Sequence, residues 1–125
     1  MILGLGIDTV EVSRIERLWQ RSGERFLARV FTPAEAAYCV ARAHPAESLA
    51  ARFAAKEAAL KCLRTGWAEG LGFRQIEIVR TPSGAVDLAL HGEALALAQR
   101  LGVRRWHLSL THTATSASAF VVAEA

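Results

Sequence analysis

Arg52-Phe53-Ala54-Ala55-Lys56-Glu57-Ala58-Ala59-Leu60-Lys61 is alanine-rich and free of glycine and proline, so it should be helical. It carries the cations Arg52, Lys56 and Lys61 and the carboxylate Glu57. At 100° per residue, Glu57 and Lys61 lie about 40° apart, with Arg64 close by. Arg52 and Lys56 form a second column. Taken alone, the pattern is a Glu/Lys i,i+4 pair on a solvated face, worth about 0.2–0.5 kcal/mol. Its meaning depends on what the rest of the chain brings to it.

The chain has 125 residues, which suits one domain. Hydrophobic residues make up 52%, enough for a real core and too many for a disordered chain. No apolar run reaches the ~18 residues needed to cross a bilayer. Met1-Ile2-Leu3-Gly4-Leu5-Gly6-Ile7-Asp8 lacks a basic leader and meets an acid early, unlike a signal peptide. Cys39 and Cys62 therefore read as reduced thiols of a cytoplasmic protein. The net charge of +3 favours anionic partners without singling out nucleic acid.

In chain order, residues 1–8 read as a buried strand ending at Asp8, its two glycines inviting close approach by a neighbour. Asp8 or Thr9 could cap the next helix. That helix spans residues 10–21, with Val12, Ile15, Leu18 and Trp19 as its apolar set, and Gly23 stops it. Arg14, Arg17 and Arg21 fall within about 60° on it, a candidate docking face for an acidic partner. Residues 24–30 form a short helical piece. Thr32, Pro33 and Glu35 spell a capping box that opens a helix to about Ala43, which His44-Pro45 ends. Ala46–Arg64 is the long central helix. Gly66, Gly70 and Gly72 mark an irregular loop.

The second half alternates. Gln75–Arg80 and Ala85–Leu90 flank a Pro82-Ser83-Gly84 turn and read as a hairpin. Glu93–Leu101 is a short helix closed by Gly102. Arg105–Leu110 is a strand, Thr111–Ser116 a polar turn and Ala117–Ala123 a last strand. The mixed order predicts an α+β fold with a largely antiparallel sheet.

Four stretches stand in a recognisable order: Gly4-Leu5-Gly6-Ile7-Asp8-Thr9-Val10-Glu11 with Arg14-Ile15; Phe31-Thr32 with Glu35 and Tyr38; Arg52–Ala58 with Lys61; and Trp106-His107-Leu108-Ser109-Leu110-Thr111-His112. Together they resemble the motifs of the holo-acyl-carrier-protein synthases, a branch of the 4′-phosphopantetheinyl transferases. The resemblance covers the chain nearly end to end. Thr111 stands where the pattern usually has serine, and Arg64 where glycine is common; Trp67 is unusual in the loop after α-helical residue 64.

The resemblance implies a single domain over residues 1–125, with a central long helix packed on a mostly antiparallel sheet. It implies transfer of the phosphopantetheine arm of coenzyme A to a serine of an acyl carrier protein, in fatty acid biosynthesis, with release of adenosine 3′,5′-bisphosphate. Asp8 and Glu57 match the family's positions for a magnesium ion, Mg2+. Lys61 and Lys56 are implied partners of phosphate, and Arg52 and His112 of the nucleotide end. Arg14, Arg17 and Arg21 would meet the acidic carrier. The base that accepts the serine proton is Glu57 or Glu35 acting through water; Glu35 is equally explained as a cap. The resemblance also implies a homotrimer with active sites at subunit boundaries, the usual state of family members of this length.

Two other readings compete. A non-catalytic basic module for an acidic protein or nucleic acid would need only the arginines of residues 14–29, and it leaves Asp8 and Glu57 without a role. No aromatic stacking platform of the kind that binds RNA is apparent, so nucleic acid is not an expected partner. A magnesium-dependent phosphohydrolase would use the same metal and cations but no docking surface.

Overall fold

The structure, a computed structural model, describes residues 1–64 and 70–125. Trp67 and residues 65–69 of the expected loop lie outside the described residues. The elements in chain order are β1 (Ile2–Glu11), α1 (Val12–Ser22), α2 (Glu24–Val30), α3 (Pro33–Val40), α4 (Pro45–Cys62), β2 (Ile76–Arg80), β3 (Val86–Leu90), α5 (Gly92–Arg100), β4 (Arg105–His112) and β5 (Ser116–Glu124). The fold is α+β. Strands β1 and β4 flank β5 in a three-stranded antiparallel sheet, and β2 and β3 pair in a separate antiparallel hairpin.

Local chemistry sets most boundaries. Gly23 ends α1 with φ +53°, its N–H bonded to the Trp19 carbonyl at 2.7 Å. The capping box forms at α3: Thr32 Oγ1 accepts from the Glu35 N–H, and Glu35 Oε1 accepts from the Thr32 N–H. Pro45 occupies the first turn of α4, so one proline both closes the α3 segment and starts the next helix. Arg64 lies just past α4 at φ +57°, a conformation that L side chains disfavour and glycine adopts freely.

Three expectations change. The first strand runs on through Asp8 and Thr9 to Glu11, because these residues pair with Ala119 and Ser118 of β5. Neither therefore caps α1, whose N-cap is Glu11 with no side-chain bond. The strand is also covered on one face only, leaving Leu5 57% and Ile7 63% exposed. Finally, Thr111 and His112 belong to β4, paired with Ser118 and Ala117, where a turn was expected.

Helix α4 is the axis of the core. From Ser48 to Cys62 every residue is buried except Glu57 and Lys61. Strand β5 turns only small or branched side chains inward (Ala117, Ala119, Val121, Ala123), so the alanines of α4 meet it closely. Strand β1 comes closer still. A Cβ at Gly6 would overlap the Ala58 carbonyl oxygen, and one at Gly4 the Cys62 carbonyl oxygen. Backbone cannot yield as a side chain can. Gly6→Ala is therefore expected to lower stability by about 3 kcal/mol or more, read by urea unfolding; an unchanged midpoint would show that β1 can move off α4.

Candidate active site

The glycine contacts decide where Asp8 goes. Gly4, Gly6, Asp8 and Val10 share one face of β1, the face turned to α4. Asp8 thus meets the helix on the side where it surfaces. Lys61 Nζ donates to the Ile7 carbonyl oxygen at 2.8 Å and to Asp8 Oδ1 at 3.2 Å. Glu57 lies one turn earlier, half-buried, on the same face of α4. The Lys61 side chain is 54% exposed, so its pair with Asp8 is a weak tie, worth at most about 1 kcal/mol. Among the described residues no group of three or more His, Cys, Asp or Glu could hold a metal. As hard oxygen donors, Asp8 and Glu57 could supply two ligands to an ion that completes its shell with water and substrate phosphate.

A second feature lies along α4. A cavity of about 460 Å³ is lined by Tyr38, Arg42, Arg52, Arg80, Ser109 and His112, among others. The guanidinium carbons of Arg52, Arg80 and Arg42 sit over the Tyr38 ring, 4.5, 5.0 and 5.4 Å from its centroid. Arg52 is 5% exposed, and its Nε has no hydrogen-bond partner. Burial pushes the neighbouring Cys39 thiol up to about 11, with the Arg52 guanidinium pulling the other way. His112 Nδ1 lies 3.0 Å from Glu47 Oε1. A carboxylate only accepts, so Nδ1 carries the hydrogen and Nε2 is the nitrogen left for a ligand.

Glu35 and Lys56 lie elsewhere. Lys56 is fully buried, and its ammonium donates to Glu35 Oε1 (2.8 Å) and to the carbonyl oxygens of Phe73 (3.0 Å) and Ile76 (2.6 Å). These use all three hydrogens, so none is left for a phosphate in this conformation. Burial pushes the Lys56 ammonium below its usual value, and the Glu35 carboxylate counters that. Glu35 is 2% exposed and also accepts from the N–H groups of Thr32 and Ile78. The pair thus joins α3, α4 and β2 inside the protein, each partner's charge met by the other. Thr32 Oγ1 extends the network to Glu77, which also bonds His91.

Arg14, Arg17 and Arg21 are exposed on α1; the Arg14 guanidinium carbon also lies 5.5 Å from the Phe53 ring centroid. The sequence reading did not single out Arg42, Arg80 or Glu47. Arg42 stands four residues after Tyr38, a spacing that signals a helical pair. Arg80 and Glu47 carry no such local signal, because their partners come from distant elements.

A surface lysine bonded to Asp8 and a cavity lined by Arg42, Arg52 and Arg80 suit an anionic ligand. A model of the 4′-phosphopantetheinyl transferase superfamily matches residues 4–117. The holo-acyl-carrier-protein synthase of Koribacter versatilis is 51% identical over 124 residues, 99% of each chain. That of Anaeromyxobacter sp. (strain K) is 54% identical over 127 residues, 99% of this chain and 97% of the relative. The crystal structure of the enzyme from Neisseria meningitidis superposes with a TM-score of 0.89 at 37% identity, covering 100% of both chains. That from Helicobacter pylori, in complex with coenzyme A, gives 0.84 at 32% identity, over 96% of this chain and 99% of its own. The chain belongs to the 4′-phosphopantetheinyl transferase superfamily.

The interior pair makes a separate prediction. Removing one partner leaves a buried charge uncompensated, so Lys56→Met and Glu35→Gln should each cost about 3–5 kcal/mol in urea unfolding. Where the variants remain folded, kcat should stay within a few-fold of wild type; a Glu35→Gln enzyme of full stability and roughly 100-fold lower kcat would make Glu35 a proton acceptor instead.

Proposed function

We propose that the protein transfers the 4′-phosphopantetheine arm of coenzyme A to a serine of an acyl carrier protein. The observation that carries this reading is where α4 surfaces within its buried run. Between Ser48 and Cys62 only Glu57 and Lys61 escape burial, and β1 sets Asp8 beside Lys61. That is a phosphate-transfer constellation on a chain of this family.

In the reaction the serine oxygen attacks the β-phosphorus of coenzyme A. A bond forms between them, and the bond from that phosphorus to the bridging oxygen breaks, releasing adenosine 3′,5′-bisphosphate. Catalysis of this kind rests on positioning and on neutralising phosphate charge. Lys61, on its exposed stem, can turn its ammonium from Asp8 to a phosphate oxygen as a point charge. Arg52 and His112 would hold the nucleotide end in the cavity they line. Of the two carboxylates considered for the serine proton, Glu57 is half-buried and Glu35 is fully buried, which favours Glu57. Asp8 and Glu57 would also hold Mg2+, which when bound neutralises charge on the diphosphate.

Two further parts of the reading concern assembly and setting. The outward face of the sheet shows Leu5, Ile7 and Phe120 to solvent, with Ile7 and Phe120 directly paired across β1 and β5. Such a contiguous apolar face suits burial against copies of this chain, and we read the protein as a homotrimer. Sedimentation should give three times the chain mass, and Ile7→Asp should shift it toward monomer; a wild-type monomer at assay concentration would overturn the assignment. The free, buried thiols of Cys39 and Cys62 suit a reducing compartment such as the cytoplasm.

Incubation with coenzyme A, magnesium and an apo carrier protein, then mass spectrometry, tests the activity. The carrier should gain the mass of one phosphopantetheine arm. Free adenosine 3′,5′-bisphosphate without that gain would indicate a hydrolase, and neither product a binding module. Asp8→Asn and Glu57→Gln should each cut transfer by roughly 100-fold or more and weaken its magnesium dependence, the double variant losing little beyond either single one. Full magnesium-dependent activity in Asp8→Asn would remove the metal assignment. In the same assay Arg14→Glu with Arg21→Glu should raise KM for the carrier several-fold and leave that for coenzyme A nearly unchanged. Both KM values rising together would place the patch outside docking.

A further inference from the structure

We propose that Tyr38 is a positioning residue whose ring gathers Arg42, Arg52 and Arg80 into one cationic wall of the coenzyme A cavity. The inference rests on the reading that this cavity takes the nucleotide end of coenzyme A. The three arginines come from separate places: the end of the α3 segment, the middle of α4 and the end of β2. Each guanidinium carbon lies within 5.4 Å of the same ring centroid. The three charges are therefore within about one Debye length of one another, where salt screens them little. Among the described residues none of the three takes part in an ion pair. The carboxylates of Glu35 and Glu77 line an adjoining cavity with Tyr38, Arg52 and Arg80 but make no direct ion pair with them. Three like charges without direct partners repel, so something must hold them together when no ligand is present.

The Tyr38 ring supplies that hold. The negative face of an aromatic ring attracts a guanidinium group without neutralising it, as a carboxylate would. The charge stays available for an anion. Arg52 is the most constrained of the three, being buried with its Nε unpartnered. A buried donor without an acceptor is costly, and an anionic oxygen entering the cavity would relieve it. The β2–β3 turn borders this group, with Gly84 and Ala85 lining the same cavity as Arg80. Tyr38 thus links the hairpin to α4 through cations and not through packing alone.

The role predicts a split between binding and turnover. Tyr38→Leu removes the ring's charge distribution and keeps an apolar side chain. Its KM for coenzyme A should rise by about tenfold, with kcat and the carrier KM within about twofold of wild type. Tyr38→Phe keeps the ring and should restore most of the affinity, since the hydroxyl is not what holds the cations. Thermal stabilisation by adenosine 3′,5′-bisphosphate should weaken in Tyr38→Leu and recover in Tyr38→Phe, a readout independent of the carrier. Arg52→Ala serves as the reference, with a raised KM for coenzyme A. A wild-type KM in Tyr38→Leu beside a raised one in Arg52→Ala would overturn the proposal alone. A wild-type KM in Arg52→Ala would overturn the placement of the nucleotide, and the proposal with it. Equal losses in Tyr38→Phe and Tyr38→Leu, or a fall in kcat with KM unchanged, would also overturn it.

Discussion

The backbone of β1 lies directly on the backbone of α4, and most of the candidate site depends on that contact. Side chains at positions 4 and 6 would hold the strand off the helix, because the atoms they would meet are the carbonyls of Cys62 and Ala58. With hydrogen there, β1 settles close enough for Lys61 to reach both the Ile7 carbonyl and the Asp8 carboxylate. The same closeness buries the flank of α4 under the strand. The helix is then free to carry alanine over most of its length, since small side chains are what a close-packed backbone tolerates. Polar groups surface where that cover ends.

Charged residues of one helix divide into two kinds by where they fall around the axis. Lys56 points inward and is satisfied by Glu35 and two carbonyl oxygens. A pair of this kind adds little net stability over apolar packing, yet it is costly to break, because one partner alone would be a bare charge in a low-dielectric interior. It also sets a register: Glu35 can accept from Thr32, Ile78 and Lys56 together only if α3, β2 and α4 hold one arrangement. Arg52 is buried as well but keeps an unsatisfied donor and a cavity in front of it. Burial with full satisfaction is structural; a buried donor left over calls for a partner, which water or a ligand in the cavity can supply.

The cavity depends on elements that meet only in the folded chain. Its cations come from three separate elements and share one tyrosine ring. Glu47, in the first turn of α4, meets His112 at the end of β4, sixty-five positions away in the chain. A ligand in this space would touch groups that sequence distance keeps apart, and its binding would stiffen their mutual placement.

Much of this was legible in the residues. The capping box at Thr32 and Glu35, the stops at Gly23 and Pro45 and the hairpin around Gly84 depend on local backbone chemistry, and local chemistry is written in adjacent residues. The helical spacing of Glu57 and Lys61, and of the exposed arginines on α1, could be read for the same reason. The ordered motifs also carried the family. Tertiary structure alone decided which carboxylate is enclosed and which is presented. Glu35 and Glu57 are both acids on helices, and Lys56 and Lys61 are both basic residues of α4. The packing of β2 against α3 and α4 encloses the first of each pair, while the second lies where α4 emerges from the core, Glu57 half-buried and Lys61 exposed beside Asp8. A turn was expected at Thr111 and His112 because polar residues suit turns, but backbone pairing to β5 holds them in the strand. Solvation and pairing with distant chain are decided by the fold as a whole, and no short window of sequence contains them.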